Sequence, residues 1–181
     1  MTLYAFHKPF GVLSQFRDPQ RPTLGDYIDI PNIYPAGRLD ANSEGLLLLT
    51  DDGAQQARIS HPRYHTQKTY QVQLDANPET GFSDRLRAGC DLKDGPMHAL
   101  QARRLTAEQI NHGPHPGRLA EHRKNNSAWF ELTIDSGRNR IVRRFCAALG
   151  HPVLRLVRTS IGEIELADLA SGALREERWR D

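Results

Sequence analysis

Two cysteines, Cys90 and Cys146, are all the thiols these 181 residues carry. They are too few and too far apart for a disulfide framework or a CxxC metal site, so both read as small buried apolar residues in a reducing compartment. No apolar run approaches the about 20 residues of a membrane span. At the N-terminus Lys8-Pro9 interrupts anything resembling a leader segment. Aromatic residues are scarce at 7%, and neither an internal repeat nor a low-complexity stretch is present. What remains is an expected cytoplasmic protein that stays off membranes. A composition 38% apolar and 25% charged supports an ordinary globular core. At this length one functional unit is expected, residues 1–181, built as a single domain or as two closely packed lobes.

Acidic charge is missing from one segment. The formal net charge is only +2, yet Ser136 to Arg158 holds six arginines and no Asp or Glu. A polyanion feels such a patch within about 10 Å, so a nucleic-acid surface is expected there.

Periodicity places the elements. Leu3 to Ser14, broken by Pro9 and Gly11, predicts strand, turn and strand. Leu46 to Leu49 is a continuous apolar run that predicts a fully buried strand, followed by a short helix through Ile59 capped by Thr50 or Asp52. Tyr70, Val72 and Leu74 alternate with Gln71 and Gln73, the period of a half-buried strand. Phe82 and Leu86 predict a helix ending at Gly89. Asn111 to Asn126, rich in His, Pro, Gly and Asn, predicts a long surface loop and a possible lobe boundary. Phe130 to Ile134 reads as another strand, and Asn139 to Leu149 as a helix stopped by Gly150 and Pro152. On that helix Ile141, Val142, Phe145, Cys146 and Leu149 share one face, and Arg140, Arg143 and Arg144 the other. Arg155 to Leu166 favours further strand, and the tail after Ser171 is charged.

The chemistry concentrates in Gly37 to Gly53, GRLDANSEGLLLLTDDG. Asp40 lies in a turn-forming stretch at the mouth of a strand too apolar to be exposed, and is therefore held rigidly. On spacing alone such an Asp either shapes a turn or does chemistry, and composition does not decide. The segment resembles the catalytic motif of the RsuA-like pseudouridine synthases, in which GRLD precedes a short polar run, a Gly and a leucine-rich strand. Two further motifs follow in family order: Lys68-Thr69-Tyr70 resembles KxY, and Gly137 to Arg144, GRNRIVRR, resembles the third motif. Lys8-Pro9-Phe10-Gly11 is similar to the opening KPxG, and Leu154-Arg155-Leu156 leads to Ile161-Gly162 as in the family. Ile141 stands where Gln is usual, and His7 where Asn is common.

The resemblance implies an α+β pseudouridine synthase fold, a mixed and largely antiparallel central sheet with flanking helices and a central catalytic cleft. It makes Asp40 the catalytic carboxylate, positioned by Arg38 and Leu39. Tyr70 lies against the target base, and Arg143 is the partner of the aspartate. Arg38, Lys68, Arg138, Arg140, Arg144 and Arg155 are the expected RNA contacts. No cofactor and no metal are required, because the reaction exchanges a uracil N1 to ribose C1′ bond for a C5 to C1′ bond without net redox change. The chemistry explains the residue types: an ionised carboxylate serves as nucleophile or base, and a neighbouring guanidinium favours that ionised form. An aromatic ring replaces stacking that an extruded base loses. Read without the family, periodicity favours Tyr70 as a core tyrosine on an amphipathic strand. KPxG begins at residue eight, leaving no room for an N-terminal S4-type RNA-binding domain. That architecture resembles the branch of the family acting on large-subunit RNA, so 23S ribosomal RNA or its precursor is the expected partner, with small-subunit ribosomal RNA or transfer RNA as the alternative target and the enzyme a monomer.

Other readings are weaker. His61 with His65, and His112 with His115, have an internal Pro and no neighbouring Cys or carboxylate, so they read as solvated loop histidines rather than ligands. Asp40 and Glu44 as a glycosidase pair lack an established separation. A non-catalytic RNA-binding assembly factor would have no need of the Asp, Tyr and Arg motifs. A helix-turn-helix reading of Asn139 to Leu149 conflicts with the strands around it.

Overall fold

A computed structural model describes residues 2–117 and 119–179. In chain order its strands and helices are β1 Leu3–Lys8, β2 Tyr34–Pro35, β3 Glu44–Thr50, α1 Gly53–Ser60, β4 Lys68–Asp75, α2 Phe82–Ala88, β5 Cys90–Leu92, β6 Gly95–Met97, β7 Gln101–Arg104, α3 Glu121–Asn125, β8 Ser127–Ile134, α4 Ile141–Ala148, β9 Val153–Ile161, β10 Ile164–Glu165 and β11 Leu174–Glu177. The chain forms two compact units. The first takes the described residues of Met1–Lys68, Asp135–Gly137 and Val157–Asp181, the second those of Thr69–Ile134 and Arg138–Leu156.

In the first unit the strands run β11-β1-β3-β9, with β2 on β3 and β10 on β9. All these pairs are antiparallel except β3 with β9, which is parallel. The sheet is therefore mixed. The four-leucine run of β3 is explained by its two covered faces. Leu46 and Leu48 point into a cluster with Ala5, Ile59 of α1, Val157 and Ile161, while Leu47 and Leu49 pack with Phe6, Leu24 and Ile28. Asp52 caps α1, its side chain accepting from the Gln55 N–H at 2.8 Å. Gly45 faces Arg158 across the parallel pair at φ +104°, and a Cβ there would lie 2.3 Å from the Arg158 carbonyl oxygen. Only glycine fits this position.

In the second unit the order is β9-β4-β8-β7, and β5 pairs with β6 as a separate hairpin. Side-chain hydrogen bonds join β4 to β8, Thr69 with Thr133 and Gln71 with Glu131 directly and Gln73 with Ser127 on the diagonal. α4 buries Ile141, Val142, Phe145 and Cys146, the face its periodicity predicts.

The structure differs from the sequence expectations in four places. Residues after Gly11 make only a single bridge, Leu13 to Thr23, instead of a second strand. The 111–126 segment contains α3 and lies inside the second unit, whose limits fall elsewhere; Arg118 within it lies outside the described residues. The charged tail supplies β11, an edge strand on β1 whose partner is too distant in sequence to leave a local signal. Cys90 is half-buried rather than buried, at the edge of the β5–β6 hairpin, whereas Cys146 is fully buried.

Candidate active site

The turn that carries Asp40 is fixed by backbone clamps, all within the first unit. The Ser14 hydroxyl donates to the Leu39 carbonyl at 2.6 Å and accepts from the Leu39 N–H at 3.0 Å, holding the residue before Asp40 from both sides. On the other flank the Gly11 N–H donates to the Ala41 carbonyl at 2.7 Å, and the Ser43 N–H closes a turn onto the Asp40 carbonyl at 3.0 Å. Arg158 ties the two ends together, its Nε donating to Leu46 O at 2.7 Å and its Nη1 reaching Arg38 O at 3.5 Å. Buried backbone groups must find such partners, and here they leave the loop little freedom.

Two buried cations join them. Lys8 is completely buried, and its ammonium donates to the carbonyls of Val12 at 2.7 Å, Pro9 at 2.9 Å and Ala41 at 3.4 Å. Desolvation lowers the Lys8 pKa from 10.5 to about 8; Glu44 and Asp40 oppose the shift and Arg158 adds to it. Lys68 is likewise lowered to about 8 by desolvation and then by Arg158, with Asp135 opposing. Its ammonium donates to Thr66 O at 2.7 Å. Arg158 is 4% exposed and its Nη2 is buried with no hydrogen-bond partner among the described residues. The Asp40 turn thus sits in a positive environment built from Lys8 and Arg158, which suits an anionic carboxylate and an anionic substrate.

The remaining sequence-derived residues divide between exposed and committed. Arg38, in the first unit, is exposed and meets no carboxylate among the described residues. Tyr70 lies in the second unit on β4 and is 7% exposed. Arg143 is half-buried on α4, its Nη1 donating to Val153 O at 3.3 Å. Arg144 makes a two-pronged pair with Asp94, 2.9 Å to each oxygen, and Arg138 donates to the same carboxylate at 3.0 Å and to Pro96 O at 2.8 Å. The hydrogen bond from Arg144 holds Asp94 below the usual carboxylate range. Arg140 is exposed at the start of α4 with a left-handed φ of 47°. Arg155 is 5% exposed and donates to the carbonyls of His112, Gly113 and Pro114, bracing that loop.

Three residues of the Asp40 environment were not singled out for the site by sequence reasoning. Arg158 and Lys8 do leave signals, a cation inside a buried alternating strand and a lysine before Pro9. Ser14 leaves none, since its role depends on Leu39 lying beside it in space.

Residues 2–148 match the family model described as RNA pseudouridylate synthase. The chain is 46% identical over 172 residues to "Ribosomal large subunit pseudouridine synthase E" of Xanthomonas axonopodis pv. citri, covering 93% of this chain and 90% of that protein. It is 44% identical over 172 residues to the protein of the same name in Vibrio parahaemolyticus, covering 94% of this chain and 71% of the other. A crystal structure of a pseudouridylate synthase superposes with a TM-score of 0.76 at 30% identity, over 98% of this chain and 70% of that one. The chain belongs to the RNA pseudouridylate synthase family. It is an isomerase with the α+β fold of that family.

Proposed function

We propose that this isomerase converts a uridine of large-subunit ribosomal RNA to pseudouridine in the cytoplasm, acting as a monomer and a single catalytic domain, with Asp40 as its catalytic carboxylate. The observation that carries the assignment of Asp40 is its setting: Leu39 and Ala41 on either side of it are each pinned by side chains or backbone from another segment, and buried cations surround the turn. Fixing one carboxylate so firmly removes the entropy of aligning it with a reacting atom. The large-subunit substrate rests on the two relatives, each a ribosomal large subunit pseudouridine synthase E.

In this reading Asp40 acts as nucleophile or base while the bond from N1 to C1′ breaks. The uracil turns, C5 bonds to C1′, and the C5 proton departs as N1 regains one, so atoms and electrons balance without a cofactor. Tyr70 is assigned to the extruded base and Arg143 to the aspartate, following the motif match. Arg38, Lys68 and Arg140 are assigned to the RNA backbone, with Arg138 and Arg144 available to it only in competition with Asp94. Arg155, spent on carbonyls, belongs with the scaffold.

The test is Asp40→Asn, which keeps the shape and removes the anion. Turnover of ribosomal RNA from cells lacking this gene is expected to fall by at least about 10²–10⁴-fold, with melting temperature and RNA affinity preserved. Near-normal turnover would remove Asp40 from the chemistry. Mapping pseudouridines in RNA from cells with and without the gene tests the substrate.

A further inference from the structure

From Gly53 through Gln67 the chain has no acidic residue, and it ends in His61-Pro-Arg-Tyr-His65. These five residues are all exposed, with Pro62–Tyr64 wound into a 3-10 turn. Tyr64 is 39% exposed, one of few large apolar side chains so open to solvent. The guanidinium of Arg63 lies 4.5 Å from its ring centroid and hydrogen-bonds its hydroxyl, Arg58 lies 6.0 Å from the same centroid, and His61 meets the ring edge-on. Arg63 faces no carboxylate among the described residues, so most of its donors are unspent.

This cluster is tied to the site on both sides, within the first unit. Gly37, which opens the Asp40 turn, packs against Ser60 at the end of α1; a Cβ on Gly37 would lie 3.5 Å from the Ser60 Cβ. Thr66 donates to Arg58 O at 2.9 Å, and Lys68 donates to Thr66 O at 2.7 Å. Contacts therefore lead from the Asp40 turn to Ser60 of α1, and from Arg58 of the same helix through Thr66 to Lys68, with Tyr64 beside Arg58. An aromatic ring beside the guanidinium of Arg63 is the combination that holds single-stranded RNA: the ring and the guanidinium plane stack a base, and the spare N–H donors take its phosphate.

We propose that Arg63 and Tyr64, flanked by Arg58 and Arg38, form a platform for an unpaired nucleotide of the RNA substrate outside the target uridine. The proposal rests on the chain's being an RNA pseudouridine synthase, and adds a contact that the catalytic motifs do not contain. It explains why an exposed segment with no acidic residue of its own concentrates cations and an aromatic, with Asp135 reaching it at His65 and not at Arg63 or Tyr64. It also makes the substrate region around the target single-stranded at this contact.

The probe is a fluorescein-labelled single-stranded RNA of about 15 nucleotides, with a duplex RNA of equal length beside it. Binding is measured at several salt concentrations for wild type, Arg63→Gln, Tyr64→Ala, Tyr64→Phe and, as a control, Arg103→Gln, whose arginine is paired with Glu131. Tyr64→Ala is expected to weaken single-strand binding by about tenfold and duplex binding little. Tyr64→Phe should retain most affinity, and Arg63→Gln should flatten the salt dependence by about one phosphate contact. Arg103→Gln should match wild type. Affinities of Tyr64→Ala and Arg63→Gln within twofold of wild type would overturn the platform, as would a Tyr64→Ala loss matched by a fall in melting temperature and not rescued by Phe. Isomerisation of ribosomal RNA by wild type beside Asp40→Asn is run in parallel, so a failed platform is distinguishable from a failed enzymatic reading.

Discussion

In the second unit Arg85, Arg87, Arg103, Arg123 and Arg144 each sit on a carboxylate, those of Glu79, Asp84, Glu131, Asp75 and Asp94. In the first unit Arg17, Arg38 and Arg63 are exposed and meet none among the described residues, while the carboxylates that meet Arg21 and Arg175 are near neighbours in sequence, Asp18 and Glu177. Buried cations differ as well: Lys8 and Arg158 of the first unit donate to backbone carbonyls around the Asp40 turn. Counting arginines along the chain points to 136–158 as the strongest RNA surface. Counting charges in space moves the emphasis to the first unit, because Asp94 arrives from another part of the chain to neutralise Arg138 and Arg144.

The sharpest way to break this contrast is Arg158→Met. Losing a charged donor to Leu46 O and Arg38 O should cost about 2–3 kcal/mol and loosen both ends of the turn, lowering kcat by about 10²-fold with a smaller change in KM. Because Arg158 depresses both lysines, their titrations should also move up from about 8. Lysine ¹⁵N chemical shifts against pH, beside denaturant melts, report both effects; unmoved lysines would refute the electrostatic link.

Ser14→Ala comes next. It orphans one buried N–H and one buried C=O of Leu39, a loss of about 1–3 kcal/mol, and should reduce kcat about tenfold while RNA affinity holds. Ser14→Thr, if its methyl is accommodated, should recover most of the turnover. An Ala variant with lowered melting temperature and unchanged single-turnover rate would make Ser14 a purely structural contact.

Asp94→Asn sharpens the comparison from the other unit. Freed of their shared carboxylate, Arg138 and Arg144 should bind RNA about threefold to tenfold more tightly at low salt, with a steeper salt slope. Arg144→Met in the wild-type background should change affinity less than Arg63→Gln does. The reverse order would return the principal RNA surface to α4.

The smallest expected effect concerns pH. The Lys68 pKa is lowered in the folded protein, so between about 8 and 10.5 the unfolded chain binds more protons than the folded one. Stability from this group is therefore least below about 8 and rises toward 10.5. The melting temperature of wild type relative to Lys68→Met should climb across that window, and a flat difference would show that Lys68 titrates normally.

The sequence made the central strand, the Asp40 turn and the apolar face of α4 legible, because each rests on a local pattern: a leucine run beside a Gly, and a 3.6-residue period. The motif resemblance identified the family for the same reason. What stayed hidden depends on distant partners. Ser14 acts on Leu39, β11 pairs with β1, and Asp94 reaches Arg144, and none of these leaves a mark in the nearby sequence. The arginine stripe of α4 was visible, but the carboxylate that neutralises Arg144 was not.

The bond from Arg158 to Leu46 joins residues 112 positions apart. Closing such a loop carries an entropic cost before any contact repays it, so the β3 with β9 pairing is a late event in folding. Strand β3 can be made and paired with β1 early, yet the turn ahead of it lacks its last clamp until β9 has left the ribosome. Synthesis of the catalytic aspartate and its assembly into a working geometry are therefore separated in time, and a nascent chain halted before Arg158 would carry Asp40 without the power to use it.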